Sequence, residues 1–234
     1  MRIVISAIVV AAALSVASPV FAQATGTSSS RQRPPAKPPA PPLPKPVMNF
    51  RAFGALDLEM MAASETFKAV TGSSTMFGYG GGGEIVNLWK TLFVRGDYTT
   101  SSASGERVFA IGDDVISTGI PLKIRLGTFE VAGGWRLRLR KLPKYTPYVG
   151  GGVLFVSYSE KSDFETETVK DSFPGYSILG GLDIRLQPRW FATVEAQYRF
   201  VPDAIGTGGV SLVYEEKDLG GFVARVMVGY NLKK

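Results

Sequence analysis

WFATVEAQYRF, residues 190–200, alternates without a break. Trp190, Ala192, Val194, Ala196, Tyr198 and Phe200 share one parity, while Phe191, Thr193, Glu195, Gln197 and Arg199 share the other. Successive side chains of a strand point to opposite faces, so the stretch reads as one strand with an apolar and a polar face. The fold turns on which face is wet. In a soluble sheet the polar face meets water, whereas in a membrane barrel it lines the interior and the apolar face meets lipid.

The same device recurs along the chain from Asn49 onward. Alternating runs of about ten residues fall near 50–60 (FRAFGALDLEM), 77–87 (FGYGGGGEIVN), 91–99 (TLFVRGDYT), 129–138 (FEVAGGWRLR), 147–158 (PYVGGGVLFVSY), 175–186, 190–200 and 221–232 (GFVARVMVGYNL). The connections after the second, fourth and sixth runs are short, at 88–90, 139–146 and 187–189; the others are long. Loops sorted by side in this way are the pattern of an antiparallel up-and-down barrel in an outer membrane, with short turns at one rim and long loops at the other. The sequence therefore predicts an all-β, closed, transmembrane barrel of eight strands.

The faces support that placement. The apolar parity carries Phe50, Leu56 and Leu58; Leu92, Val94 and Tyr98; Phe129, Val131, Trp135 and Leu137; Tyr176, Ile178, Leu182 and Ile184; and Phe222, Val226, Val228 and Leu232, with no charge among them. The other parity holds seven acids (Asp57, Glu59, Glu84, Asp97, Glu130, Asp183, Glu195) and seven bases (Arg51, Arg95, Arg136, Arg138, Arg185, Arg199, Arg225). Unpaired charge inside a closed barrel is costly, so this equality is expected of an interior built from paired charges. Aromatic residues are expected to form two girdles. Phe50, Tyr148, Trp190 and Tyr230 fall at the short-turn ends, and Tyr79, Tyr98, Phe129, Tyr158, Tyr176, Phe200 and Phe222 at the loop ends. On this assignment Val149, Val153 and Phe155 of the fifth run face inward, against the pattern of the other runs.

Residues 101–128 admit two readings. RVFAIGDDVIS suggests a hairpin turning at Gly112–Asp114, and IPLKIRL alternates again before the apolar parity shifts at Gly127. The stretch is read as an outer hairpin that extends two barrel strands beyond the membrane. A ten-stranded barrel is the alternative.

The N-terminal segments have other signatures. MRIVISAIVVAAALSVASPVFAQA carries Arg2, an apolar run and small residues before Gln23, the pattern of a cleavable signal peptide over 1–22. Residues 23–49 hold eight prolines between Pro34 and Pro46 and no periodicity, so they read as a Pro-rich periplasmic tether, with the barrel domain at 50–234. Of 26 Lys and Arg, Arg2 lies in the signal and Arg31, Arg33, Lys37 and Lys45 in the tether, leaving 21 against 20 Asp and Glu in the domain. A nearly neutral domain without a basic aromatic face argues against a nucleic-acid partner.

The signal, the eight runs, PYVGGGVLFVSY and the closing GGFVARVMVGYNL resemble the small outer-membrane barrels of diderm bacteria, the superfamily of the OmpA membrane domain, OmpW and opacity-type proteins. The resemblance covers residues 50–234 and lies in pattern more than in motif. It implies lipid and lipopolysaccharide as surroundings, the barrel-assembly machinery as a partner during biogenesis, and an extracellular ligand class at the outer loops. Members usually end in an aromatic residue, whereas this chain ends Tyr230, Asn231, Leu232, Lys233, Lys234.

Chemistry is sparse. With no His and no Cys, the common metal-ligand sets and the Ser-His and Cys-His nucleophile pairs are missing, so no enzyme, cofactor or metal site is expected. GYGGGGE at 78–84 lacks the Lys-Ser/Thr ending of a phosphate loop, and its glycines read as relief of crowding in a small barrel. The acidic stretch 159–173 (Glu160, Asp163, Glu165, Glu167, Asp171) lacks the spacing of a calcium loop and reads as a solvated tip. An eight-stranded interior is filled by side chains, which predicts a structural or interaction role without a general pore. The alternatives are a narrow solute channel, or a soluble lipocalin-like carrier in which the apolar parity lines a ligand cavity.

Overall fold

The computed structural model describes residues 47–111, 114–162, 169–207 and 209–232. The expected signal and nearly all of the tether, residues 1–46, lie outside them. Eight antiparallel strands run β1 (Asn49–Met61), β2 (Thr75–Leu88), β3 (Leu92–Ile111), β4 (Asp114–Arg136), β5 (Tyr145–Ser162), β6 (Val169–Arg185), β7 (Trp190–Phe200) and β8 (Gly221–Asn231). Each pairs with the next and β8 closes onto β1, so the sheet is a barrel in sequence order. Closure leaves no sheet edge, and every strand is paired on both sides. No helix among the described residues is long and apolar enough to cross a membrane.

The closed barrel formed by the described residues has eight strands, not ten. Residues 101–128 lengthen β3 and β4, which pair from Leu92↔Trp135 up to Ile111↔Asp114 with one irregularity between Glu106 and Val108. The pairing up to Ile111↔Asp114 agrees with the expected hairpin, of whose turn Gly112 and Asp113 lie outside the described residues. At the same rim the β1–β2 connection folds into α1 (Ser64–Thr71) and the β7–β8 connection into α2 (Gly209–Val213). Gly72 caps α1 at φ 75°, the left-handed region that glycine enters without a Cβ clash. α1 turns Phe67 into the barrel mouth, where it is buried with Met61, Met76, Leu122 and Val201.

The β4–β5 register is unbroken from Leu122↔Ser162 to Arg136↔Tyr148, and it settles the two irregularities of the sequence pattern. The apparent shift at Gly127 is no shift in geometry. Leu122, Ile124 and Leu126 are buried on the same parity as Glu130 and Arg136, while Lys123 and Arg125 share the exposed parity of Phe129, Val131 and Trp135. Along one straight strand the wall inverts its polarity: charged inside and apolar outside in the lower part, apolar inside and basic outside above.

β5 corrects the expected inward placement of Val149, Val153 and Phe155. All three are exposed, at 55%, 58% and 53%, whereas Tyr148, Leu154 and Val156 are buried. Tyr148 therefore leaves the girdle for the interior, and Tyr158 turns inward to pack against the loop-end core. The glycines 150–152 carry no side chain to mark parity, which is why the pattern misled here. Exposed Trp135 joins Phe50, Trp190 and Tyr230 toward the short-turn rim, and Tyr230 stacks edge-on against Trp190 with ring centroids 5.3 Å apart.

Small residues let the wall close. A Cβ on Gly134 would lie 2.1 Å from the Val149 carbonyl oxygen and 2.9 Å from the Phe93 ring, while one on Gly96 would meet nothing within 4 Å. Gly134→Val is expected to cost about 1–3 kcal/mol through overpacking, and Gly96→Ala to stay within about 0.5 kcal/mol of the parent. Urea unfolding of the two variants in one detergent checks the contrast.

Candidate functional site

The polar parity converges on the barrel axis as an ion network, and its centre is Arg225 on β8. Its Nε and Nη2 donate to the two carboxylate oxygens of Asp57 on β1, both at 2.8 Å, and Nη1 donates to Asp97 on β3 at 3.2 Å. Arg95, also on β3, reaches across the lumen to Glu195 on β7, with Nη1 at 2.6 Å and Nη2 at 3.1 Å. Glu195 accepts in addition from the Tyr148 hydroxyl at 2.6 Å. Toward the loop rim Arg199 donates to Glu59 at 2.7 Å, and Glu59 accepts from Ser101 at 2.9 Å. Forked guanidinium–carboxylate pairs are the strongest hydrogen-bonded arrangement available to such groups, and strands fix their geometry.

A second cluster lies nearer the short-turn rim. Arg51 and Arg136 share Asp183, and Arg51 also binds Glu84 through Nε at 2.9 Å. Thr193 donates to the other oxygen of Asp183 at 2.6 Å, and the Arg51 guanidinium sits 4.0 Å from the centre of the Phe191 ring.

The expected equality of seven and seven does not hold inside. All seven acids are buried, but Arg138 and Arg185 are exposed at the short-turn mouth, leaving five buried guanidiniums. Both lie where the strands end and water is available. The excess acid is offset by neutral donors. Glu130 is fully buried and receives Gln197 Nε2 at 2.7 Å on each oxygen and Ser177 Oγ at 2.5 Å. Those donors, and Tyr148 with them, are residues that a count of charges overlooks. Gln197 was visible on the polar parity of 190–200, whereas Tyr148 was hidden by the glycine run.

Two recesses flank the network. The loop-end recess, of about 930 Å³, is lined by Phe67, Val70, Ile124, Phe173 and Ile205 among others, with Arg107, Glu160 and Asp171 as polar groups. Of the acidic stretch, Asp163, Glu165 and Glu167 lie outside the described residues. Among those described, no cluster of three or more carboxylates is arranged to hold a metal ion. The short-turn recess, of about 760 Å³, is lined by Arg136, Arg138, Lys144 and Arg185.

No family model matches the sequence, and no curated protein sequence matches it significantly. Among solved structures, Neisserial surface protein A is similar, at 12% identity and a TM-score of 0.49, covering 80% of this chain and 97% of its own. A major outer membrane protein from Thermus thermophilus gives 13% and 0.48 over 78% and 99%. The N-terminal β-barrel domain of Pseudomonas aeruginosa OprF gives 12% and 0.43 over 79% and 98%. No residue role is carried over from any of them.

Removing one partner of a buried pair strands the other charge. Arg225→Met is therefore expected to cost about 3–5 kcal/mol, and a second change, Asp57→Leu, to recover part of it. Unfolding free energies of the parent, the single variant and the double variant in one detergent measure both terms. A single variant as stable as the parent would remove Arg225 from the centre of the network.

Proposed function

We propose that the chain is an integral barrel protein of the outer membrane of a diderm bacterium, with a structural or interaction role and no general pore. The observation that carries this reading is the inversion along β4, where outward Trp135, Val131 and Phe129 give way to outward Arg125 and Lys123 while inward Arg136 and Glu130 give way to Leu126, Ile124 and Leu122. A wall wet along its whole length has no cause to invert. One that leaves lipid for water partway up does, because above that height the apolar side chains must turn inward to leave water. At about 3.3 Å per residue, Phe129 to Trp135 runs on the order of 20 Å along the strand and, at the usual tilt of about 40°, rises about 15 Å, which fits within the roughly 25 Å apolar band of such barrels.

The lumen is filled by the ion network and, above it, by Met61, Met76, Leu154 and Val201, all buried, which favours anchoring over diffusion. A lipocalin-like carrier needs the apolar parity inside. Here Val194 is 55% exposed and Glu195 2%. The reading includes no catalysis, since the interior carboxylates are engaged with guanidiniums, hydroxyls or Gln197. In it the loops face the outside, the loop-end recess has room for an extracellular ligand, and the tether lies in the periplasm after removal of 1–22.

The test is a gel of membrane-purified protein, boiled and unboiled, together with labelling of intact cells that carry Ala36→Cys. A mobility shift on boiling, with the cysteine unreactive from outside, is the expected result. Recovery from the soluble fraction without a shift would refute the membrane reading, and surface labelling at position 36 would refute the topology.

A further inference from the structure

At the short-turn mouth Lys144 and Arg185 carry positive charge that no described acid pairs with. The cluster above it is balanced, since Arg51 and Arg136 face Glu84 and Asp183. Arg138, Lys144 and Arg185 are added cations lining the same recess. No described residue makes a side-chain hydrogen bond or ion pair with Lys144 or Arg185. Arg138 is placed by a 3.4 Å contact with the Asn87 carbonyl oxygen, Oδ1. Burial, then repulsion from Arg136 and Arg185, holds the Arg138 guanidinium below its ordinary pKa, so the three groups feel one another.

An independent sign comes from Arg136. It is 7% exposed, its Nε has no hydrogen-bond partner, and it lines the recess. A buried donor left idle beside a surplus of cations lacks an acceptor. The connections at this rim add more bases and no acid: Lys90, Arg140, Lys141 and Arg189. Placing like charges together is destabilising unless an anion joins them.

We propose that the short-turn recess is an anion site that binds a phosphate group, with Arg136, Arg138 and Arg185 as the guanidinium clamp and Lys144 at the entrance. Guanidinium forks match phosphate oxygens two at a time, and a group with several acceptor oxygens satisfies more of these donors than a single carboxylate. The volume, about 760 Å³, has room for a larger molecule that carries such a group. Leu139 and Leu186 also line the recess and give that molecule an apolar contact. The phosphate comes either from a phospholipid headgroup or from a soluble phosphoester. The site uses only the barrel's geometry, so it stands or falls separately from the membrane reading.

The test is calorimetric titration of the full chain in mild detergent with inorganic pyrophosphate, and separately with a short-chain phosphatidylglycerol. Saturable binding of one of them at one per barrel is expected, weakened tenfold or more in Arg138→Gln/Arg185→Gln and unchanged in Arg140→Gln. Each variant is first shown folded by its heat-shifted mobility. Phosphatidylglycerol bound at least tenfold more tightly than pyrophosphate assigns the headgroup; pyrophosphate bound equally or more tightly assigns a soluble phosphate. No saturable binding of either, or binding that the double variant leaves intact, overturns the site.

Discussion

Arg225, with no exposed surface, holds Asp57 in a two-pronged fork and touches Asp97, so that β8, β1 and β3 are tied across the lumen through one side chain. A guanidinium in that position is tolerable only if its carboxylates are present and aligned. The rest of the interior follows from the same demand. Arg95 must reach Glu195, Arg199 must reach Glu59, and Glu130 must find donors that are not charged. Each needs a fixed strand register, and a one-residue slip in any pair would carry a charge to the outer face. The network thus specifies register as well as filling the lumen.

On the proposed membrane reading, the outer face explains why charge is inside at all. In lipid, backbone groups are satisfied only by a closed sheet, and side chains facing outward must be apolar. Polar side chains are then left to the lumen. Past Phe129 β4 exchanges its faces, as that reading expects of a strand that has left lipid: Leu122, Ile124 and Leu126 join Phe67 and Leu219 in a buried core while Lys123 and Arg125 take the outside. The long loops thereby rest on a packed apolar base, and the two recesses differ in character, apolar at the loop end and basic at the turn end.

Most of the fold was legible in the sequence because strand parity is rigid and repeats in eight runs. The strand order and the closed barrel follow from alternation together with connections sorted short and long by side, and the inward turn of Glu195, Gln197 and Arg199 from the uncharged opposite parity and the rim aromatics. The reading failed where alternation lost its marker or its meaning. At Gly150–Gly152 no side chain shows the face, so Tyr148 and Val149 were exchanged. At 122–126 the pattern is intact but its sense is reversed, with the apolar parity buried and the basic parity exposed, and alternation alone does not say which parity is buried. The charge count failed for a third reason, because Arg138 and Arg185 share the interior parity but lie past the buried span, and parity says nothing of depth. Gln197 lay on the expected face, yet its role as the neutral partner of Glu130 is a matter of three-dimensional proximity that one strand cannot reveal.

The claim that most depends on this structure is the height at which the wall changes solvent. Because the chain has no native cysteine, single cysteines at 123, 125, 129, 130, 131 and 135 can each carry a fluorophore in the protein reconstituted in vesicles. Quenching by a lipid-borne and by a water-borne quencher then reads each position. The account predicts lipid quenching at 129, 131 and 135, aqueous quenching at 123 and 125, and little of either at 130. Aqueous quenching at 129, 131 and 135 as strong as at 123 would contradict it, and the apolar wall would no longer be a membrane surface.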